Sequence, residues 1–559
     1  MNSGTNIHSL AYFTALVMLA VSIPLSKYAM SVSQFALLGL WIWAGFSFKI
    51  SFRFFRFCGP IKGFYHFSYY IFKLAGDNFV EKITLFFRNR AAVILVSIYL
   101  IHLIGLIHTQ NFDYALKDLR VKLPLLLLPI VISTMKPLPF RRFKLLMMFF
   151  LASVLVGTLV SAGLLITGKY VDIREISPFI SPIRFGLSVS FGVFILVYFA
   201  FHDRQFRFWH RVLFVVLIVW FTSFLFLLEA ITSIIILVIG SIAYLIWLLL
   251  KTRFRILRAA IIGITIAIPL LFVFEVWRTV VQATTPPTID YARLEKFTSQ
   301  GNPYLHDTSG TQVEDGRYVG LYVCYSELEE TWNKRSKLRF DGLTGEGYSV
   351  EATLIRYLTS KDLRKDADGV NALTEWDIKT IEQGTANIHY IKSPGLRVRI
   401  LKMLKGYEVY QKTGNPSGSS TMQRIEYIRA SIGIIRNNLM YGVGTGDLDD
   451  AFSRQYEEMN TPLEVQYRYH AHNQFLGIAV AFGWLGLVWF IFALVYPGLK
   501  TGAFHDYFFN AFFLMIVISM LSDDTIETQA GATLFAFFFS LLLFGRKREA
   551  NIWQIGNQE

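Results

Sequence analysis

Residues 472–486 read His472-Asn473, nine residues, Gly483, two residues, Gly486. An unperturbed imidazole titrates at about 6.5, which suits a general base near neutrality. A histidine at a helix mouth is also commonly a cap or an interfacial residue. Arg424 falls early in TMQRIEYIRASIGIIRNNLM (421–440), where Ile425, Ile428, Ile432 and Ile435 recur at three- and four-residue spacing. Ser419, Ser420 or Thr421 can cap that helix, which places Arg424 in its first turn. A cation there opposes the helix dipole, and a bound anion would satisfy both; a solvated arginine is the plainer alternative. Arg184 opens another long apolar stretch, where an ionisable group usually faces a cavity or a partner unless it snorkels to the interface. Lys117, Arg120 and Lys122 form a weaker group of the same kind. A guanidinium can grip phosphate oxygens with two prongs. One base and several cations are the chemistry these residue types offer.

Other motifs carry less. GVGTGD (Gly442 to Asp447) lacks the lysine and spacing of a phosphate-binding loop. It reads as a turn ending one helix, with Asp447 capping the next. Asp366 and Asp368 in KDADG lack the alternating ligands of a calcium loop. The two cysteines, Cys58 and Cys324, fall on opposite sides of the expected topology, so no disulfide and no cysteine metal site is expected. No metal and no cofactor is called for.

The elements that must position these residues are membrane helices. The 559 residues are 53% hydrophobic and only 17% charged, against about 25% charged in ordinary soluble chains. The mean hydropathy is +0.43. Apolar blocks recur at the roughly 20 residues that a crossing needs. Candidate spans are 9–27, 31–49, 91–108, 118–135, 143–167, 181–201, 211–228, 230–250, 256–277, 471–497, 504–522 and 527–545. The aromatic, basic segment 61–90 is read as lying on the membrane surface. The fold class expected is therefore all-α, a polytopic membrane protein of about 12 transmembrane helices.

The net charge of +14 is one that nucleic-acid binding could explain. Its placement argues otherwise, because the basic clusters sit in alternate short loops. These are Arg53, Arg56, Lys62, Lys73 and Lys82 to Arg90; Lys136, Arg141, Arg142 and Lys144; Arg204, Arg207 and Arg211; Lys251, Arg253, Arg255 and Arg258; and Arg546, Lys547 and Arg548. The positive-inside rule puts them, and both termini, in the cytoplasm. The first apolar block reads as a retained helix, not a cleaved leader. Residues 1–277 then form nine helices, 278–465 a large, mainly helical loop outside the cytoplasm that opens at Pro286-Pro287, 466–546 the last three helices, and 547–559 a tail. Outer helix ends carry few further polar residues: Lys169, Arg174, Glu229, Asp523, Asp524 and Glu527.

The stretch from His472 to Gly486 resembles the O-antigen ligase and polymerase superfamily of bacterial envelope enzymes. The ligase pattern is His, then Asn, Ser or Gln, nine residues, Gly, two residues, and Gly, Thr or Tyr. RIEYIRASIGIIRNNLMYGVGTGDLDDAF resembles the stretch leading into the histidine helix. IPLSKYAMSVSQF, YALKDLRVKLPLLLLP, SPIRFGLSVS, TLIRYLTSKDLRKDADGV and DDTIETQAGATLF resemble the version found in Bacteroidetes-type bacteria. The resemblance covers most of the chain, although the loop around 290–400 departs from better-known ligases. It implies a glycosyltransferase C-like fold in the inner membrane. It also implies glycan transfer from undecaprenyl pyrophosphate to an acceptor hydroxyl such as a lipid A–core sugar, without nucleotide sugar or required metal. In that reading His472 is the base, Arg184 and Arg424 hold the pyrophosphate, and Asn473, Lys117, Arg120 and Lys122 assist binding. Gly483 and Gly486 serve close helix packing.

Polymerases and protein O-oligosaccharyltransferases of the same superfamily share these features. A lipid-linked glycan transporter would need a similar basic cavity, but no inverted repeat is visible. A structural or regulatory membrane protein would make Arg184 and His472 dispensable.

Overall fold

The computed structural model describes residues 3–43, 78–167, 176–252, 254–285, 288–290, 293–307, 312–345, 347–389 and 396–547. The expectations placed on Arg53, Arg56, Cys58, Lys62, Lys73, the segment 61–77, Lys169, Arg174, Arg253, Pro286-Pro287 and Arg548 lie outside the described residues. The chain folds as two compact units, Met1–Ser241 with Asn415–Glu559, and Ile242–Gly414.

In the first unit the helices are α1 (Ser3–Leu25), α2 (Lys27–Trp43), α3 (Arg90–Ile104), α4 (Phe112–Lys122), α5 (Pro124–Thr134), α6 (Phe140–Thr167), α7 (Pro182–Phe201) and α8 (Phe208–Leu227). α9 (Ile231–Lys251) follows, and α10 (Arg255–Thr284) belongs to the second unit. Eight described helices are long and apolar enough to cross a membrane: those in Ile7–Leu25, Arg90–His108, Phe140–Ile166, Pro182–Phe201, Phe208–Leu227, Ile231–Lys251, Arg255–Thr284 and Gln474–Thr501. The protein is an all-α polytopic membrane protein.

The span expected at 118–135 is two short helices. Pro124 has no N–H to continue the ladder, so the helix breaks at Leu123, whose own N–H reaches only Arg120 O at 3.4 Å. α4 is thereby freed to carry a polar face, with Asp118 and Lys122 buried beside Ala115 and Leu119.

The second unit holds a soluble-type core. Its helices are α11 (Tyr325–Arg335), α12 (Val350–Ser360), α13 (Ala367–Asn371), α14 (Glu375–Glu382) and α15 (Leu396–Thr413). Trp332, Leu354, Tyr357, Leu358, Val370 and Ile378 are buried together. A short hairpin pairs Val313–Glu314 with Arg317–Tyr318. Cys324 is a buried free thiol. Asp366 caps α13 by accepting from Gly369 N–H, and Asp368 accepts from Ser299, so both carboxylates serve local structure.

The first unit resumes with α16 (Ser420–Asn437), α17 (Leu448–Glu458), α18 (Gln474–Thr501), α19 (Tyr507–Ser522) and α20 (Gln529–Leu543). Every residue of α20 from Ala530 to Leu543 is buried, and α7 is buried almost throughout from Arg184 to Ala200. Phe191 of α7 meets Phe150, Phe512 and Phe538 at ring-centroid distances of 6.1, 5.1 and 4.9 Å. These offset and edge contacts give an aromatic core of defined geometry. That core fixes where the ends of α7, α19 and α20 stand.

α18 breaks at Gly483, which takes φ 65° and ψ −164° inside the helix. A side chain there would sit 2.4 Å from the Met440 carbonyl carbon. Only glycine allows both the backbone angle and this approach. The break frees Val480 and Ala481 carbonyls, which accept from Val443 N–H (3.0 Å) and Gly444 N–H (2.9 Å), while Trp484 N–H donates to Leu439 O at 2.8 Å. GVGTGD is therefore a backbone splint for a broken membrane helix. Unpaired carbonyls in an apolar setting would each cost several kcal/mol.

Candidate active site

The site is built on the link between α19 and α20. Ser519 and Thr525 hydroxyls bond at 2.8 Å, Ile526 N–H donates to Gln474 Oε1 at 2.9 Å, and Gln474 Nε2 donates to Glu527 Oε1 at 2.8 Å. Thr528 caps α20 through Gly531 N–H. Fixed in this way, Asp523, Asp524 and Glu527 become anchors for cations from elsewhere in the chain.

Arg184 occupies the first turn of α7, where the helix dipole disfavours a cation. Asp523 compensates at 2.8 Å, and Asp524 O accepts from Arg184 Nη2 at 2.8 Å. The Arg184 side chain is 10% exposed, so it does not snorkel. Its buried Nε has no hydrogen-bond partner among the described residues. A buried donor left unpaired costs about 1–3 kcal/mol, and a bound anion would remove that cost.

His472 lies on the other side of the same carboxylates. Its Nδ1 is 3.5 Å from Asp523 Oδ1 and 3.5 Å from Asp524 Oδ2, and its side chain remains 35% exposed. The ring is flanked by Tyr427 and Tyr469 at 5.5 and 6.2 Å. The backbone of His472 is left-handed, with φ 45°. Strain of this kind persists only where neighbours over-determine it. Asn473 supplies that constraint: its side chain accepts from Leu476 N–H at 3.0 Å and donates to Leu521 O at 2.8 Å.

The electrostatics follow from this sharing. Burial alone would raise Asp523, yet His472, Arg184 and Arg424 hold its carboxyl below the ordinary range. Burial and the neighbouring Glu527 and Asp523 carboxylates push Asp524 up to about 6, against the pull of His472. With Nδ1 turned to two carboxylates, the tautomer favoured carries its proton on Nδ1 and leaves Nε2 as the basic atom.

The remaining predicted residues divide. Arg424 lies in the second turn of α16, because the helix starts at Ser420; Ser419 sits at the cap position without a side-chain cap bond. Arg424 makes no hydrogen bond or ion pair among the described residues, yet it is close enough to act on Asp523 and Tyr427. Lys122 is fully buried between Asp118 (2.6 Å) and Glu527 (2.5 Å). Lys117 and Arg120 are exposed on the opposite face of α4 and have no ion-pair partner among the described residues. Asp447 stands at the cap position of α17 but makes no cap bond. Its carboxylate takes Gln110 and Asn111 N–H instead, at 3.0 and 2.8 Å.

Asp523 and Asp524 are contact partners of Arg184 and His472 that pattern alone leaves as two more acids at a helix end. Tyr427, Tyr469 and His470 were equally silent. His470 pairs with Asp449 at 2.5 Å, and although burial opposes its charge, Asp449 raises its pKa. The available signal was Asp523-Asp524 following an apolar helix with no neighbouring cation in sequence.

An imidazole, two carboxylates and two guanidinium groups thus gather at one end of the helix bundle of a polytopic membrane protein. The O-antigen ligase family profile matches residues 388–491, which include Arg424, His472, Asn473 and Gly483. That match spans 104 of the 559 residues and supports a likeness to O-antigen ligase or polymerase-type glycan transferases. A comparison with curated proteins finds no match.

Proposed function

We propose that the protein moves a glycan from undecaprenyl pyrophosphate to an acceptor hydroxyl, a lipid A–core sugar in the ligase case, at the periplasmic face of the inner membrane. In this reading both termini are cytoplasmic and the chain from 278 to 465 is periplasmic. The observation that carries it is the convergence of His472 and Arg184 on the Asp523 carboxylate, with Asp524 beside both and Arg424 close by and making no ion pair among the described residues.

The acceptor O–H gives its proton to Nε2 of His472 as its oxygen attacks the anomeric carbon. The bond from that carbon to the phosphate oxygen breaks, and undecaprenyl pyrophosphate leaves with the electron pair. Arg424 offers its whole guanidinium fork to the phosphates, and Arg184 offers Nε–H, its other nitrogens being engaged. Both stabilise charge that grows on the leaving group. Asp523 and Asp524 stabilise the imidazolium. A single displacement inverts the anomeric configuration. No step requires a metal.

The test is reconstitution of the full-length protein with lipid-pyrophosphate donor and sugar acceptor. Free undecaprenyl pyrophosphate released in step with a glycosylated acceptor supports the reading. Movement of intact donor across the membrane without release would make the protein a transporter instead. Deletion followed by envelope glycan analysis separates ligase from polymerase, since loss of attachment with polymer still made marks a ligase and loss of chain length a polymerase.

A further inference from the structure

α17 has two polar faces. Asp449, Phe452 and Tyr456 face the histidine segment: Phe452 stacks on His470 at 5.1 Å, and Tyr456 OH donates to Tyr469 O at 2.7 Å. Asp450, Arg454 and Glu458, spaced by four residues on another face, border a cleft of ≈ 610 Å³. That volume falls within the roughly 300–1,000 Å³ usual for ligand sites. The cleft's other wall is the end of α16, including Asn437, and its floor is the GVGTGD splint. Asp447 is locked there by Gln110 and Asn111 N–H, and Asn111 Nδ2 donates to Asp450 at 3.3 Å. The floor is therefore a fixed surface.

The lining chooses its ligand. Asp447, Asp450 and Glu458 share the lining with one guanidinium, Arg454, and one imidazole, His108. Three carboxylates outnumber these two groups even with the imidazole charged, and repel a diphosphate. Asn437, Gln455 and Glu458 side chains make no hydrogen bond among the described residues, so their capacity is open. Each amide both donates and accepts, as a sugar hydroxyl does, while the carboxylates accept from hydroxyl or ammonium groups.

We infer that this cleft is a glycan subsite for neutral or amino-sugar units, set about 10 Å, one helix diameter, from the histidine segment. The inference rests on the transferase reading and adds a division of labour: the phosphates are held at Arg184 and Arg424, the sugars beyond α17. The glycan can belong to the donor or to the acceptor, because the recognising chemistry is the same.

The experiment measures binding of two lipid-free probes to the full-length protein in nanodiscs. One is the glycan released from its lipid pyrophosphate, and the other is core oligosaccharide freed of lipid A. The Asn437→Ala, Gln455→Ala double variant and the Glu458→Gln variant should each bind one probe about tenfold more weakly, with undecaprenyl pyrophosphate binding unchanged. The weakened probe identifies the source. Failure of both probes to bind the wild type, unchanged binding by both variants, or displacement of the bound glycan by inorganic pyrophosphate would overturn the inference. The transferase reading fails separately: glycan bound in the cleft but never transferred by the wild type would sink that reading and leave the subsite standing.

Discussion

The two ends of the helix bundle hold buried charges in opposite ways. At the end away from His472, Lys144 pairs with Asp203 at 2.7 Å and Gln205 at 2.6 Å, and Arg546 pairs with Asp506. Both cations are also clamped by rings. Lys144 lies over Phe140 and Phe206, and Arg546 over Phe143 and Phe508 at 4.6 and 5.3 Å. Each charge has its own acid and its own aromatic seat. At the His472 end an imidazole and Arg184 divide Asp523 between them, the imidazole is partly open, and Arg424 makes no ion pair among the described residues. Arg546 Nε, like Arg184 Nε, has no hydrogen-bond partner among the described residues, so the two ends differ in the sharing of Asp523 and in the partly open imidazole, which leave room for a charged guest.

The largest expected difference lies between Arg184→Ala and Arg546→Ala. Loss of Arg184 should lower transfer by about 100- to 1,000-fold, the usual scale for a lost charge-stabilising donor, with membrane protein level unchanged. Arg546→Ala should instead strip the half-buried Asp506 of its ion partner, leaving it only the bond from Phe509 N–H, a loss of about 1–3 kcal/mol in stability. It would be read as a lower thermal midpoint in detergent, with the specific activity of the surviving protein retained. Reversal of these two phenotypes would erase the distinction between the ends.

A pH profile sharpens the same contrast. Asp524, pushed up to about 6, becomes neutral as pH falls through that value. It can then no longer balance the imidazolium that forms at His472. Transfer should decline below about pH 6, by up to about tenfold per unit, and Asp524→Asn should flatten that limb while lowering the plateau. A profile identical in wild type and Asp524→Asn would separate the carboxylate from the chemistry.

Arg424→Lys should cost less, about tenfold, because an ammonium keeps the charge and loses the fork. The smallest effect is expected from Lys117→Ala or Arg120→Ala. Both side chains lie on the exposed face of α4, and surface charges of this kind contribute at most about 1 kcal/mol. Transfer by either variant should stay within about threefold of wild type, measured in the same reconstituted assay.

What could be read from the sequence was local. Helix lengths, the histidine motif and Arg184 as a cation at an unexpected helix start were all legible, because each is a matter of spacing along one segment. The break at Leu123 was marked by Pro124, whose missing N–H matters more than the apolar run around it. The isoleucine periodicity in α16 gave the helix but not its buried face: Met422, Gln423, Glu426, Tyr427 and Ala430 turn inward while Ile428 and Ile432 are exposed. Exposed apolar side chains are common on protein surfaces, so the periodicity marks a helix without fixing which face is buried. Asp523 could not be assigned from sequence because its partners are 51 and 339 positions away. Only the aromatic core that sets α7 against α19 brings them together.

Nε2 of His472 is proposed to take the acceptor's proton. Single-turnover transfer by full-length His472→Gln, with donor saturating and bound donor measured separately, tests it most directly. Donor binding should stay near wild type and the transfer step should slow by about 100- to 10,000-fold. A transfer step within about twofold of wild type would contradict it.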